Sequence, residues 1–192
     1  DDSPNSCEWS GTISLANADA IFTGVEASDY TGYSVSQAGD VNVDGYPDIL
    51  IGAYGSGDTG RVFVFFGPFS GSLDTDSADV VYTATVGTQV GFSVAGGCDL
   101  DGDGNQDDFL IGDPAAVEID QTTGALWVVT GPISTGTYNL DDFATKLVGV
   151  PGSAAGSALS CSGDLNNDGV DDILVGAPQY EGRGAAFVVY TP

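Results

Sequence analysis

The chain has 192 residues, and its 28 acidic side chains are set against only Arg61, Lys146 and Arg183, for a formal net charge of −25. A surface this anionic excludes nucleic acid and anionic membranes as partners, because binding either needs Lys and Arg to replace counterions. The apolar share of 42% is enough for a core, so a disordered acidic tail is excluded too, and the lack of His removes the usual general base and the commonest zinc ligand.

The first β-type run is "AIFTGV" at Ala20. A longer unit opens at Gly32 with "GYSVSQAGDVNVDGYPDILIGAY", continues with "GRVFVFFG" from Gly60 and closes with "VVYTATV" at Val80. The pattern restarts at Gly91 with "GFSVAGGCDLDGDGNQDDFLIGD", followed by "GALWVVTG" from Gly124 and "TKLVGV" from Thr145. A third start, "GSALSCSGDLNNDGVDDILVGAP" from Gly156, is followed by "GAAFVVYT" from Gly184. Each unit holds short runs rich in Val, Ile, Phe and Tyr between Gly, Asp and Pro turns, and no stretch carries helical periodicity. Four antiparallel strands recurring with a period of about sixty residues predict an all-β chain of β-propeller blades. A parallel β-helix would need a much shorter repeat. The expected organisation is an N-terminal outer strand of the closing blade in residues 1–30 and repeats in 31–89, 90–154 and 155–192. The last of these lacks an outer strand of its own.

The acids are concentrated at one place in the repeat. Asp40, Asn42 and Asp44 stand at alternate positions before Gly45; Asp99, Asp101 and Asp103 before Gly104; Asp164, Asn166 and Asp168 before Gly169. The glycine lets the backbone turn sharply, so that the next carbonyl, at Tyr46, Asn105 or Val170, can point inward. A carboxylate at the ninth position closes each cage: Asp48, Asp107 and Asp172. The second loop is one residue longer, so counting back from the strand nominates Asp108; loop spacing favours Asp107. Hard oxygens alone suit Ca²⁺, in three sites, better than zinc, copper or the tight octahedron of Mg²⁺. An EF-hand is excluded, since its bidentate Glu at position 12 is replaced by Ile51, Leu110 or Val175. Solvated Asp-Gly turns explain one such loop, but not three at equivalent places.

These motifs, "GYSVS…DVNVDGYPDILIGAY", "GFSVA…DLDGDGNQDDFLIGDP" and "GSALS…DLNNDGVDDILVGAP", resemble FG-GAP repeats, the blades of the integrin α-subunit propeller and of many bacterial surface proteins. The resemblance implies three four-stranded FG-GAP blades in which calcium pins the hairpin of the two inner strands, and it transfers no ligand pocket. The first repeat departs with Gly52-Ala53-Tyr54 and the second with Gly112-Asp113-Pro114, while the third keeps Gly176-Ala177-Pro178.

Three blades are too few for a ring. One reading is a piece of a longer propeller; the other is a homo-oligomer, in which two chains complete a six-bladed ring by lending each other their first strands. No Met is present, so Asp1 is no translational start, and no apolar run approaches a membrane span. Cys98 and Cys161 fall at nearby points of the first strands of neighbouring blades and form the candidate disulfide, paired and free both standing open; Cys7 is left over. Trp127 aligns with Phe63 and Phe187, and Trp9 with Phe69, as blade packing. The function expected is a calcium-binding extracellular or cell-surface module for protein interaction, adhesion or scaffolding, with a protein or glycan ligand. A lectin is the alternative, disfavoured because the aromatics mostly fall on strand runs. A polysaccharide-acting enzyme is the weakest reading, since the conspicuous carboxylates are taken by the loops.

Overall fold

The computed structural model describes residue 12 and residues 14–85, 89–161 and 163–192; Cys7 and Trp9 lie outside them. In chain order, β1 (Ala20–Thr23) precedes β2 (Ser34–Gly39), β3 (Asp48–Ala53), β4 (Arg61–Phe65), β5 (Gly71–Asp74) and β6 (Val80–Thr83). The second group is β7 (Ser93–Cys98), β8 (Asp108–Asp113), the small hairpin β9 (Val117–Glu118) and β10 (Gln121–Thr122), then β11 (Ala125–Val129), β12 (Gly136–Asn139), the single turn α1 (Leu140–Phe143) and β13 (Thr145–Val148). The third is β14 (Ala158–Cys161), β15 (Ile173–Ala177) and β16 (Ala185–Val189).

Each group is an antiparallel meander: β2-β3-β4-β6, then β7-β8-β11-β13, then β14-β15-β16. The all-β, antiparallel expectation holds at this level, and the sheets have the form of propeller blades; the described residues do not close a ring. Among the described residues the third sheet has three strands, and β1 lies parallel to β5, a pairing that the sequence reading did not contain. In the same way β12 lies parallel to β6, giving the first sheet a fifth strand. Both β5 and β12 come from the connection between third and fourth strands, so each acts as a strap across the outer strand of the preceding unit.

Strand alternation places one row of apolar side chains between each pair of sheets. Leu50, Val62, Val64, Tyr82, Phe109 and Trp127 fill the space between the first and second sheets. Cys98, Leu110, Leu126, Ile173 and Val175 fill that between the second and third. The middle sheet is covered on both faces, which is why every residue of β8 is buried. Trp127 sits opposite Ile111 as Phe63 sits opposite Ile51 and Phe187 opposite Val175, so the three aromatics hold one register position.

The first strands pack side by side, β2 on β7 and β7 on β14. The Ser34 hydroxyl donates to the Gly91 carbonyl at 2.9 Å, and Ser93 to that of Gly156 at 2.7 Å. The approach is so close that a Cβ on Gly52 would stand 2.1 Å from the Gly91 oxygen, and one on Gly112 2.4 Å from the Gly156 oxygen. The glycine of the Gly-Ala and Gly-Asp elements is therefore a packing requirement between sheets. A disulfide joins Cys98 at the end of β7 to Cys161 at the end of β14, across a Cα separation of 6.0 Å.

Candidate metal centres

The acidic loops connect the first two strands of each sheet, β2 to β3, β7 to β8 and β14 to β15, and so emerge at one end of the packed first strands. Their conformation follows from short oxygen-bearing side chains that capture backbone N–H groups nearby. In the first loop the amides of Asp44 and Gly45 donate to the two oxygens of Asp40, each at 2.9 Å. The Asp44 amide also reaches Asn42 Oδ1 at 3.0 Å, and the Tyr46 amide reaches Asp44 Oδ1 at 2.9 Å. The third loop repeats the set: Asp168 and Gly169 amides to Asp164, Asp168 also to Asn166, and Val170 to Asp168. In the second, Gly102 and Gly104 donate to Asp99, Asp103 to Asp101 and Asn105 to Asp103. Each turn needs a positive φ at its glycine, +92° at Gly45, +90° at Gly104 and +99° at Gly169, a region that side chains with a Cβ rarely enter.

The closing carboxylate does a second job that spacing did not reveal. Asp48 accepts from the Val41 amide at the head of its loop and from the Gly67 amide beyond β4. Asp172 accepts from Leu165 and from Thr191 beyond β16. In the second loop the residue with this pattern is Asp108, bonded by Leu100 and by Gly131 beyond β11. The extra residue of that loop is thus taken up before the strand, and Asp108 holds the register of Asp48 and Asp172. Asp107 is 3% exposed, and its Oδ2 has no hydrogen-bond partner.

Oxygens of Asp99, Asp101 and Asp108 lie within 4.8 Å of one another. Burial pushes the Asp108 carboxyl up to about 6, against the bonds from Gly131 and Leu100, and the charges of Asp101 and Asp107 add to the rise. Burial also raises Asp48, and it raises Asp107 with the Asp103 charge next in weight. Such crowding of anions favours the charged forms only if a cation joins them. The donor set fits a hard divalent ion: carboxylate oxygens and a side-chain amide around a backbone turn, with neither sulfur nor imidazole.

Neighbouring loops also touch. The Asp171 carboxylate accepts from the Asp99 amide at 3.1 Å, and the Asp171 amide donates to the Asp99 carbonyl at 2.8 Å. Near the opposite ends of the first strands, Tyr30, Tyr33, Tyr54 and Phe92 gather into one aromatic group. Tyr30 and Tyr54 stack with centroids 5.0 Å apart, and Tyr33 meets Tyr54 edge-on at 4.6 Å. Tyr30 and Tyr33 are both more than half exposed. These rings lie on loops, so the expectation that the aromatics mostly fall on strand runs misses them; Tyr30 and Tyr33 share one turn, closed by the Tyr33 amide on the Tyr30 carbonyl, Tyr54 and Phe92 come from two others, and only the packed sheets bring the three turns together.

Such a chain is an all-β repeat protein that carries an acidic hairpin loop at the same place in each sheet. The FG-GAP repeat family matches residues 31–65 and 155–189, which span the first and third loops and the strands around them. Integrin alpha-4 of Xenopus laevis is 28% identical over 200 residues, covering 97% of this chain and 18% of its own length. Integrin alpha-3 of Cricetulus griseus is 32% identical over 163 residues, 84% of this chain and 15% of its own. Integrin alpha-6 of Gallus gallus reaches 40% over 76 residues, 39% of this chain and 7% of its own. The protein is an FG-GAP repeat protein, similar to integrin alpha subunits. It spans less than a fifth of the length of the curated relatives it matches. No helix among the described residues is long and apolar enough to cross a membrane.

Proposed function

We propose that the chain is a calcium-stabilised, integrin-like β-propeller module that serves protein interaction or adhesion at an extracellular surface, and that it is not an enzyme. The observation that carries the reading is the shared hydrogen-bond pattern of the loops, in which a carboxylate at the strand mouth ties the loop to the end of the third strand. Calcium would be held in three sites by Asp40, Asn42, Asp44, the Tyr46 carbonyl and Asp48; by Asp99, Asp101, Asp103, the Asn105 carbonyl and Asp108; and by Asp164, Asn166, Asp168, the Val170 carbonyl and Asp172. Asp108 is preferred to Asp107 because it shares the bonds of Asp48 and Asp172. The repeats are proposed to divide as 31–89, 90–154 and 155–192.

An ion at each loop neutralises carboxylates that otherwise repel one another, and the unfolded chain lacks the cage, so calcium stabilises the folded state by mass action. The test is a thermal melt with millimolar calcium against EDTA. A midpoint several degrees higher in calcium is expected, and a melt indifferent to EDTA sinks the reading. The exposed group of Tyr30, Tyr33, Tyr54 and Phe92 favours a second reading, a lectin that stacks a sugar on these rings; binding on a glycan array that Tyr30→Ala abolishes would favour it.

A further inference from the structure

We propose that the cleft between the second and third sheets, at the ends of the first strands opposite the acidic loops, binds a neutral saccharide. Its walls include Gln89, Phe92, Pro114, Thr122, Ser157 and Gln179, and its volume is about 640 Å³. Small-ligand sites usually measure about 300–1,000 Å³, so a short oligosaccharide has room. Every wall comes from within residues 89–179, so neither end of the chain bounds the cleft. The inference goes beyond a calcium-stabilised module and needs no cation in the loops. It shares with the lectin reading the class of ligand and differs from it in the site.

The internal repeat explains why the cleft exists. The turn before each first strand recurs as Tyr30-Thr31-Gly32-Tyr33, Gln89-Val90-Gly91-Phe92 and Ala154-Ala155-Gly156-Ser157, and its glycine has a φ of +84° in all three. Two residues past the glycine of each second strand stand Tyr54, Pro114 and Pro178. Between the first and second sheets three rings meet at this level. Tyr33 and Tyr54 lie 4.6 Å apart, and Phe92 lies 4.9 Å from one and 5.5 Å from the other. One sheet further on, the counterparts of Tyr33, Tyr54 and Phe92 are Phe92, Pro114 and Ser157. Two of the three aromatic rings are gone, and the cleft is the room they leave.

The lining suits an uncharged, hydroxyl-rich ligand. None of the 28 acids and three bases of the chain lines the cleft. A basic side chain of a protein ligand therefore finds no carboxylate there, and the net charge of −25 repels an acidic sugar. Phe92 supplies an apolar wall for the C–H face of a pyranose, while a few polar groups fix its orientation. Among the described residues the side-chain amides of Gln89 and Gln179 and the Thr122 hydroxyl have no hydrogen-bond partner. An amide both donates and accepts, as sugar hydroxyls do, so the two match without any charge. The Ser157 hydroxyl donates to the Ala154 carbonyl at 2.7 Å and keeps its lone pairs for a ligand. Gln179 is anchored by its backbone amide on the Ser153 carbonyl at 3.1 Å, which fixes where its exposed side chain starts.

The test is an array of neutral oligosaccharides of glucose, galactose, mannose and N-acetylhexosamines beside uronate- and sialate-bearing ones, with the strongest neutral hit titrated calorimetrically. Neutral glycans are expected to bind more tightly than their acidic counterparts. Ser157→Phe, which restores the ring that Tyr33 and Phe92 carry in the other repeats, should abolish that binding. Gln89→Ala and Gln179→Ala should each weaken it by about 2- to 10-fold, the worth of a hydrogen bond, with an unchanged circular dichroism spectrum. These two variants carry the test if Ser157→Phe does not fold. Binding that all three variants leave intact lies elsewhere, as on the Tyr30 and Tyr54 rings, and overturns the proposal. So does an array on which no neutral glycan binds, or a companion peptide array that alone gives ligands. None of these results bears on the calcium melt, which reads the loops at the other end of the strands, so the two readings fail separately.

Discussion

Gly52 and Gly112 differ from the many turn glycines, because their lack of a side chain is required by a neighbour and not by their own backbone. A methyl group at either would meet a carbonyl oxygen of the next sheet at about van der Waals contact minus an ångström or more, and backbone cannot step aside cheaply. Gly52→Ala is expected to cost about 1–3 kcal/mol by overpacking, visible as a lower denaturant midpoint. Trp127 is the opposite case, wholly buried, with its indole N–H donating to Asp141 and the Lys146 ammonium 5.0 Å from its ring centroid. Trp127→Ala should lose about 3–5 kcal/mol, measured by urea unfolding. Its alignment with Phe63 and Phe187 made that role legible in the sequence. The roles of Asp107 and Asp108 were less so, because an added residue can be absorbed on either side of a turn and spacing does not say which. Only the partners Leu100 and Gly131 distinguish them.

At the scale of the element, the acidic hairpin is the unit that recurs most faithfully. Its first, third and fifth positions and its glycine could be read directly, since an Asx turn is a local structure dictated by adjacent residues. Asp44→Ala, Asp103→Ala and Asp168→Ala should each lower the melting midpoint in calcium and shrink the difference between calcium and EDTA. If all three variants keep the full calcium shift, these loops do not bind the ion. The straps β5 and β12 could not be read in this way. "GSLD" and "GTYN" are short and mostly polar, with little period-two signal, and their partners β1 and β6 lie in the preceding unit. The aromatic group of Tyr30, Tyr33, Tyr54 and Phe92 was hidden for the same reason, since it exists only once neighbouring sheets have packed.

For the whole molecule, sheet packing and the disulfide join units that the sequence presents as separate repeats. Cys98 and Cys161 tie the first strands of the second and third sheets just ahead of their acidic loops. Cys98→Ser is expected to cost about 2–5 kcal/mol, read as a lower midpoint that reducing agent reproduces in the parent chain. The middle sheet should be the last to open in amide exchange, because both of its faces are covered.

The straps also determine how the chain meets a pulling force. In each strap pair the strands run parallel, so tension drawn toward the N-terminus of β1 and the C-terminus of β5 slides one strand along the other. All the hydrogen bonds of the pair then resist together, where an antiparallel hairpin pulled at its open end would yield them one after another. β6 and β12 repeat the arrangement one unit further along. A molecule built on such pairs is stiff along its chain direction and opens at high force.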